Sequence, residues 1–585
     1  MPDSAEAVAA RWMQSFDDVI HGSQRIDEVL TDDASWRDIV ALTWDIRSAH
    51  GREPLQDLAQ HAADQAIPGS WRLSDRHAPE LVTRGGREVV EAFLEFETRV
   101  GRGEGVVRLV PGGETARART LMTALRTLND RPERAGDNRP NDVDLGARFG
   151  KPNWRDQRAW EVAYEDREPT VLVVGSGQAG LSVAARLRAL GVDVLVIEQH
   201  HRVGDNWRNR YYSLTLHNDL RANQLPYLPF PETWPLFVPK DQFAGWLEYY
   251  AEAMELNVWT DTAFSGADWD EDAGHWNATV TSSSGFSREL HPRHLVVCTG
   301  VSNAPRLPSM PGLESFRGRV LHSSEFTDAK DFHGHRAVVF GVGNSGSDIA
   351  QALSTEGNDV TMVQRGSVTV VSHKEGSLLL QGEIYARGLP LEVADLVSVS
   401  NPYPAYWEAQ RAVTEGLKEL DHELIASLSK VGFKTDYGED ETGFGMKYLR
   451  YGGGHYLNIG CSELIADGTI GLLQYEQIAR VVPQGIELTS GEVVEASLLV
   501  FGTGFRTLEQ SVTDYFGPAM AAKVGRVWGL DAEGELANMW RPTPQQGLWF
   551  HAGSLYQCRI FSKYLALQIA ADELGLRASR PRRGR

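Results

Sequence analysis

The sequence predicts an α/β fold with two doubly wound units, because one kind of glycine-rich turn occurs twice. GSGQAG at residues 175–180 follows the apolar run TVLVV, and GVGNSG at residues 341–346 follows AVVF. Each turn leads into a segment whose apolar residues have helical spacing. This strand–turn–helix context distinguishes a dinucleotide-binding turn from a chance GxGxxG match. Two dinucleotides are therefore expected to bind this chain.

Each position of the two turns has a physical role. The first glycine permits the tight bend, the second lets a pyrophosphate approach the backbone, and the third allows helix and strand to pack closely. The helix N-terminus stabilises the phosphate charge. The predicted contacts are Gly175, Gly177, Gln178, Ala179 and Gly180 in the first turn, and Gly341, Gly343, Asn344, Ser345 and Gly346 in the second.

The residue after the second strand of each unit predicts which ribose binds there. The strand GVDVLVI leads to Glu198, whose carboxylate can accept hydrogen bonds from ribose hydroxyls. The strand NDVTMVQ leads to Arg365, whose guanidinium can pair with a ribose 2′-phosphate. This pattern favours an uncharged ribose at the first site and NADPH at the second. The alternative at both positions is a solvated charge at a strand end.

The composition excludes several classes of protein. The chain has 585 residues, of which 42% are hydrophobic and 23% charged, as in ordinary soluble proteins. A net charge of −21 argues against a nucleic-acid partner. There is no apolar run long enough to span a membrane, and MPDSAEAVAA does not resemble a signal peptide, so a cytoplasmic location is expected. The 3 cysteines form no CxxC pair, so neither a metal site nor a vicinal redox pair is expected.

Further motifs lie between and behind the two turns. FRGRVLHSSEF at residues 316–326 has Phe316, Gly318, His322 and Phe326 in a Phe-x-Gly-x3-His-x3-Phe string; CTGVSNAPRLP precedes it, and FGTGF follows at residues 501–505. In this order, over roughly residues 168–572, the motifs resemble the class B flavoprotein monooxygenases. The resemblance implies FAD and NADPH as cofactors. Further predicted cofactor-binding residues are Asn206, Trp207, Gly300, Thr503 and Gly504.

The segment NRYYSLTLHNDL refines this resemblance. It aligns with a Tyr-x2-Leu-x2-Asn string of the family so that His217 replaces the active-site Asn. Together with the long N-terminal extension, this is similar to the type II flavin-containing monooxygenases, which show Baeyer–Villiger activity on ketones and accept NADH as well as NADPH. The resemblance implies a flavin C(4a)-(hydro)peroxide to which His217 donates a hydrogen bond. Asn218 takes this role if the alignment shifts by one residue, and a structural histidine is the alternative.

These features predict an NAD(P)H-dependent flavin monooxygenase whose partners are molecular oxygen and a small organic substrate. Oxidation of ketones to esters or lactones is the first expectation, and oxygenation of sulfides or amines the second. YYSLTLH and LPYLPFP are also similar to stretches of plant-type indole-3-pyruvate monooxygenases, so oxidative decarboxylation of a 2-oxo acid is an alternative. Another is a non-catalytic redox sensor that binds flavin and nicotinamide as ligands only. The oligomeric state, including a homodimer, stays open.

Four segments follow from the motif positions. Residues 1–165 are predicted to form an α+β extension and a polar linker, residues 166–328 and 490–585 the two parts of the FAD-binding domain, and residues 329–489 the NADPH-binding domain with a helical substrate-channel insertion. The second FAD part includes a basic tail. The extension, with WRD at the end of a predicted strand, resembles the SnoaL-like cone fold. Asp38 is a candidate base there, with a structural role as the favoured alternative.

Overall fold

A computed structural model describes residues 4–22, 25–112, 116–139, 149–302 and 304–577 of the chain. Most of the basic tail and part of the predicted linker lie outside these ranges. Within them, no helix combines the length and the apolar character needed to cross a membrane.

The N-terminal region forms a seven-stranded sheet with three helices. The strand order is β2-β1-β7-β6-β5-β3, with β4 paired to β5, and only the β1–β7 pair is parallel. This α+β unit agrees with the predicted class, and its relation to the SnoaL-like cone stays a prediction. Its elements are α1 (Ala5–Ile20), α2 (Ile26–Val29), β1 (Leu30–Ile39), β2 (Ile46–His50), α3 (Arg52–Gln65), β3 (Arg72–Leu73), β4 (Glu80–Arg84), β5 (Arg87–Glu97), β6 (Gly101–Val110) and β7 (Arg117–Leu128).

Aromatic packing holds helix α1 on this sheet. Trp12 and Phe16 lie one turn apart on the buried face of α1, and their rings stack with centroids 4.8 Å apart. Phe16 meets Trp71 edge-on at 5.1 Å, and Trp71 stacks on Phe96 of β5 at 4.0 Å. These rings bury a large apolar area, which forms part of one hydrophobic core that continues to Leu172 and Leu565 in later parts of the chain.

Asp38 lies fully buried in β1, where its carboxylate is enclosed by donors. The backbone N–H groups of Leu42 and Thr43 donate to Oδ2 at 3.1 and 3.0 Å, the Thr43 hydroxyl donates to it at 2.8 Å, and the Thr123 hydroxyl donates to Oδ1 at 2.8 Å. Burial raises the pKa of Asp38 to about 6 against the opposing effect of these hydrogen bonds. The arrangement supports the structural role rather than that of a base.

The first glycine turn belongs to a five-stranded parallel sheet of order β10-β9-β8-β14-β25. The predicted strand TVLVV forms its buried β8. Because β25 comes from the C-terminal part of the chain, the sheet joins two distant segments. The elements of this region are α4 (Trp154–Ala163), β8 (Val171–Val174), α5 (Gln178–Ala189), β9 (Val194–Ile197), α6 (Asp205–Arg208), α7 (Lys240–Ala253), β10 (Asn257–Trp259), β11 (Thr262–Asp270), β12 (His275–Ser282), β13 (Ser287–Leu290) and β14 (His294–Val297).

The second glycine turn belongs to a second five-stranded parallel sheet, of order β15-β24-β16-β17-β20. The two parallel sheets confirm the doubly wound α/β class. The elements from β15 to β20 are β15 (Arg319–His322), β16 (Arg336–Phe340), α8 (Asn344–Thr355), β17 (Asp359–Gln364), β18 (Thr369–Ser372), α9 (His373–Ser377), α10 (Glu383–Ala386), α11 (Leu391–Ser398), α12 (Tyr403–Leu420), α13 (His422–Lys430), α14 (Gly443–Tyr451), β19 (His455–Asn458), α15 (Cys461–Ala466) and β20 (Gly471–Gln474).

Strands β15 and β24 lie on the other side of the predicted domain boundaries. Their segments were expected in the FAD-binding parts, but both strands pair with each other inside the second sheet, and β24 also pairs with β16. Strand β15, which precedes the second turn, therefore belongs to the sheet of that turn and not to the first unit, and the same holds for β24. The remaining elements are β21 (Ile478–Val482), β22 (Gly485–Leu488), β23 (Val493–Glu495), β24 (Leu498–Phe501), α16 (Leu508–Val524), β25 (Leu548–Phe550) and α17 (Leu555–Glu573).

Ion pairs attach the N-terminal sheet to the rest of the chain. Arg37 donates from Nε and Nη2 to the Glu535 carboxylate at 2.8 and 2.6 Å, and from Nη1 to the Val399 carbonyl oxygen at 2.7 Å. Lys563 of α17 donates to Glu104 of β6 at 2.8 Å. Arg37 thereby holds the loop between α11 and α12, which belongs to the helical block of residues 373–466.

Candidate active site

A cavity of about 560 Å³ lies at the carboxyl ends of both parallel sheets, between the two glycine turns. Ligands of open α/β sheets bind at this edge. Most of the predicted cofactor-binding residues meet here. The predicted residues that line the cavity are Gly175, Gly177, Gln178, Ala179, Glu198, Asn206, Trp207, His217, Gly300, Asn344 and Ser345.

The first turn has the geometry that the glycine pattern predicts. Gly175 has φ +105°, and a Cβ atom there would lie 2.8 Å from the Cys298 carbonyl oxygen. A Cβ atom on Gly180 would lie 1.9 Å from the Gly175 carbonyl oxygen, so α5 packs closely on its own turn. A Cβ atom on Gly177 would lie 3.2 Å from Nδ2 of Asn206 at the cavity wall. Gly177 also provides no side-chain cap to α5, which leaves the helix N-terminus available to a phosphate.

Glu198 lies directly after β9, buried at the edge of the cavity. Its Oε2 accepts hydrogen bonds from the Ser176 backbone N–H and hydroxyl at 3.0 and 2.8 Å, and its Oε1 accepts one from the His200 N–H at 3.0 Å. These bonds orient the carboxylate, whose remaining lone pairs can accept from a ribose. The ribose contact itself stays a prediction.

The second turn repeats the geometry of the first. Gly341 also has φ +105°, and a Cβ atom on Gly346 would lie 2.1 Å from the Gly341 carbonyl oxygen. Gly343 provides no side-chain cap to α8. Arg365 lies directly after β17 and is exposed, in the position from which the predicted contact to a 2′-phosphate would be made.

A second chamber of about 280 Å³ adjoins the cavity. Gln178, Trp207, Leu214, His217, Asn344 and Gly553 line both spaces, so the chamber opens onto the predicted flavin site. Its other walls are mostly apolar or uncharged. The further lining residues are Thr215, Leu216, Asn218, Asn223, Phe243, Phe444, Tyr448, His455, Leu457, Ser554 and Leu555.

His217 stands at the junction of cavity and chamber, beside a buried carboxylate. Its Nε2 lies 3.6 Å from Oδ2 of Asp348, which is on α8. The Tyr211 hydroxyl donates to the same oxygen at 2.6 Å. The His373 ring approaches from the other side, with Nε2 bonded to the His217 carbonyl oxygen at 2.9 Å. Asn218, the alternative candidate, lines only the chamber.

His455 is a neutral imidazole in the chamber wall. Burial lowers its pKa to about 3, and the charges of His217 and Lys447 add to the shift. Its Nδ1 is buried without a hydrogen-bond partner among the described residues, and its ring lies 4.1 Å from that of Phe444. The imidazole therefore brings no charge to the chamber wall.

Some predicted residues lie away from the cavity wall. Thr503 donates from its hydroxyl to the Arg306 carbonyl oxygen at 2.6 Å, and the Gly504 carbonyl oxygen bonds to Nε2 of the buried His322 at 2.9 Å. Phe505 of the same motif lines the cavity instead. The motif around His322 thus connects β15 to the loop after β24.

Sequence reasoning missed Tyr211, Asp348, His455 and Arg210. Asp348 follows the second turn by two positions on α8, and only the fold brings it to His217. His455 had a weak signal, a histidine at the end of the glycine-rich run YGGGH before a strand. Arg210 and Tyr211 lie within the NRYY segment that was used only for alignment.

Comparisons with known proteins agree with this architecture. The model of the flavin-binding monooxygenase-like family matches residues 168–378. The indole-3-pyruvate monooxygenase YUCCA1 of Oryza sativa subsp. japonica is 30% identical over 352 residues, which are 59% of this chain and 79% of the relative. The probable indole-3-pyruvate monooxygenase YUCCA3 of Arabidopsis thaliana is 29% identical over 343 residues, 57% of this chain and 73% of the relative.

Two solved structures show the same fold at low identity. An open crystal structure of cyclohexanone monooxygenase superposes with a TM-score of 0.51 at 16% identity, over 69% of this chain and 88% of that chain. Oxidized steroid monooxygenase bound to NADP gives 0.50 at 20% identity, over 69% and 85%.

The chain belongs to the flavin-binding monooxygenase-like family. It is a flavin-dependent monooxygenase, which confirms the class predicted from the motifs, and FAD and NADPH are the cofactors that those motifs predict. The residues present fit these cofactors, because two uncapped helix N-termini and two close-packed glycine turns face one cavity.

Proposed function

We propose that this enzyme oxidises a neutral ketone to an ester or lactone. One atom of O2 is inserted between the carbonyl carbon and its neighbour; the other leaves as water, and NADPH supplies two electrons. The observation that supports this proposal is the composition of the second chamber. Its lining has no lysine, arginine, aspartate or glutamate.

The walls of the chamber favour an uncharged carbonyl compound. Leu216, Phe243, Phe444 and Leu457 give apolar contact, and the uncharged groups Asn218 and Tyr448 are among the polar side chains of the lining. A carboxylate in this space would have no fixed positive charge to compensate it, since burial keeps His455 neutral. Burying a charge without a partner is costly.

His217 is proposed to hold a proton at the junction where the chamber meets the flavin site. Reduced flavin, when bound, supplies the activated oxygen for this chemistry. Asp348 lies 3.6 Å from Nε2 of His217, within ion-pair distance of the imidazole when it is protonated. Sulfide or amine oxygenation in the same chamber is a further expected activity, because these substrates can also enter uncharged.

Oxidative decarboxylation of a 2-oxo acid is the second candidate. It is favoured by the 30% identity to a relative named as an indole-3-pyruvate monooxygenase. This reaction needs a site for a carboxylate, and the chamber lining has no lysine or arginine for it. The redox-sensor alternative is not retained, because the family is one of monooxygenases.

Product analysis separates these candidates. The FAD-loaded enzyme is incubated with NADPH and, in parallel, a cyclic ketone, an aryl sulfide, a tertiary amine and indole-3-pyruvate, and the products are identified by mass spectrometry. We expect a lactone containing one atom from 18O2 and NADPH consumption that rises with ketone concentration. Turnover of indole-3-pyruvate alone would overturn the proposal in favour of the second candidate.

A further inference from the structure

Arg210 has no carboxylate partner among the residues that the structure describes, unlike the two arginines that precede it. Arg202 pairs with Glu248 at 2.7 Å, and Arg208 pairs with both Asp205 and Glu248 at 2.8 Å. Arg210 forms no ion pair with any carboxylate of the described residues; its one hydrogen bond is a long contact of 3.4 Å from Nη2 to the Ser302 carbonyl oxygen.

The surroundings of Arg210 leave its charge largely uncompensated. The guanidinium carbon lies 5.3 Å from the centroid of the Phe505 ring, a favourable but weak contact. Burial lowers the pKa of Arg210, and only the neighbouring Tyr211 opposes the shift. A guanidinium stays charged in proteins, so a partly buried one without a carboxylate is suited to an anionic ligand.

The loop that carries Arg210 is tied to the second nucleotide unit. The hydroxyl of the next residue, Tyr211, donates to Asp348 of α8 at 2.6 Å. Arg210 lines the large cavity together with Asn344 and Ser345, the first residues of that helix. The guanidinium therefore faces the same space as the uncapped N-terminus of α8, although it belongs to the segment that follows the first turn.

We infer that Arg210 binds a phosphate group of the nicotinamide dinucleotide held at the second glycine turn. A planar guanidinium can donate two parallel hydrogen bonds to phosphate oxygens. Arg210 belongs to the flavin-binding part of the chain, and the proposed ligand is held by the second nucleotide unit. A bond between them would fix the position of the nicotinamide coenzyme relative to the flavin.

NADP+ binding to the oxidised, FAD-loaded enzyme tests this inference without any organic substrate. Arg210→Met keeps an unbranched apolar side chain, although a shorter one, and removes the charge. We expect the dissociation constant for NADP+, measured by calorimetry, to rise about 10- to 100-fold, as for the loss of a hydrogen bond to a charged group. FAD content, measured as visible absorbance per protein, should stay unchanged. Arg202→Met, which removes a paired arginine of the same loop, should leave both quantities unchanged.

Arg210→Lys provides a second measure if the methionine variant does not fold. Its ammonium retains the charge but cannot form the paired contact, so NADP+ should bind several-fold more weakly. Unchanged NADP+ affinity in the folded variants would overturn the inference. Loss of FAD with unchanged NADP+ affinity of the FAD-loaded fraction would also overturn it and assign Arg210 to the flavin phosphates. Because no ketone is present, neither result depends on the proposed reaction.

Discussion

The imidazole of His217 lies between the cavity of about 560 Å³ and the adjoining second chamber, with Nε2 3.6 Å from Oδ2 of Asp348. Asp348 lies on the helix of the second glycine turn, and His217 lies on the loop between α6 and α7 of the first unit. One pair of side chains thus brings both nucleotide units together at the proposed meeting point of coenzyme and substrate. A change in either unit can therefore alter the orientation of this histidine.

His217→Ala should uncouple NADPH oxidation from product formation. Reduction by NADPH in anaerobic stopped flow should persist, because it depends on coenzyme placement. Loss of one well-placed donor should slow oxygen transfer by about 10²–10³, so that oxygen leaves as hydrogen peroxide. The measurement is product and hydrogen peroxide per NADPH, with the exposed His422→Ala as control. Tight coupling in His217→Ala would instead place this role on Asn218 or another residue.

Gly177→Val should give a folded but colourless protein. The added side chain would start 3.2 Å from Asn206 and occupy the space where a pyrophosphate must approach the backbone. Circular dichroism checks folding, and visible absorbance checks FAD. Gly245→Val, where a Cβ atom meets nothing within 4 Å, is the matched control. A yellow Gly177→Val protein with full FAD content would remove the basis for placing FAD at this turn.

Arg365→Ala should raise KM for NADPH much more than KM for NADH. Only NADPH has the 2′-phosphate, and the lost charge-assisted hydrogen bond is worth roughly 1.5–3 kcal/mol. Steady-state kinetics with both coenzymes measure the difference, and the exposed Lys430→Ala serves as control. An equal effect on both coenzymes would mean that Arg365 points elsewhere, whereas NADH use by the unmodified enzyme is expected.

Asp38 should make the N-terminal sheet less stable as pH rises. Because burial raises its pKa to about 6, folding favours the protonated form. The stabilisation is complete below about pH 4 and decreases until about pH 6, by an amount of about 3 kcal/mol. Thermal unfolding of the enzyme and of Asp38→Asn across this window measures the effect. The difference in Tm between the two proteins should change with pH there; a constant difference would contradict the raised pKa.

The doubly wound fold and most of the cofactor-site residues could be predicted because they depend on local patterns. Gly175 and Gly341 need a positive φ, the strands before them are continuously apolar, and Glu198 and Arg365 follow the next strands directly. Each of these properties belongs to a short segment and follows from the order of residue types within that segment. A helical insertion within residues 329–489 was likewise predicted, and the structure has helices there, among them α12 and α13, which meet at the buried Asp421.

Contacts between distant segments were decided only by the tertiary structure. The pairing of β15 with β24 moved both strands into the second sheet, and neither strand alone differs from one of the first sheet. His455 becomes a neutral group because the fold buries it, and Arg210 has no carboxylate partner in the described part of the chain because its loop faces a cavity. Burial, charge compensation and strand partners depend on what surrounds a residue in space. The sequence by itself determined the fold class and the expected cofactors. The protonation of His455 and the charge compensation of Arg210 depend on packing between distant segments.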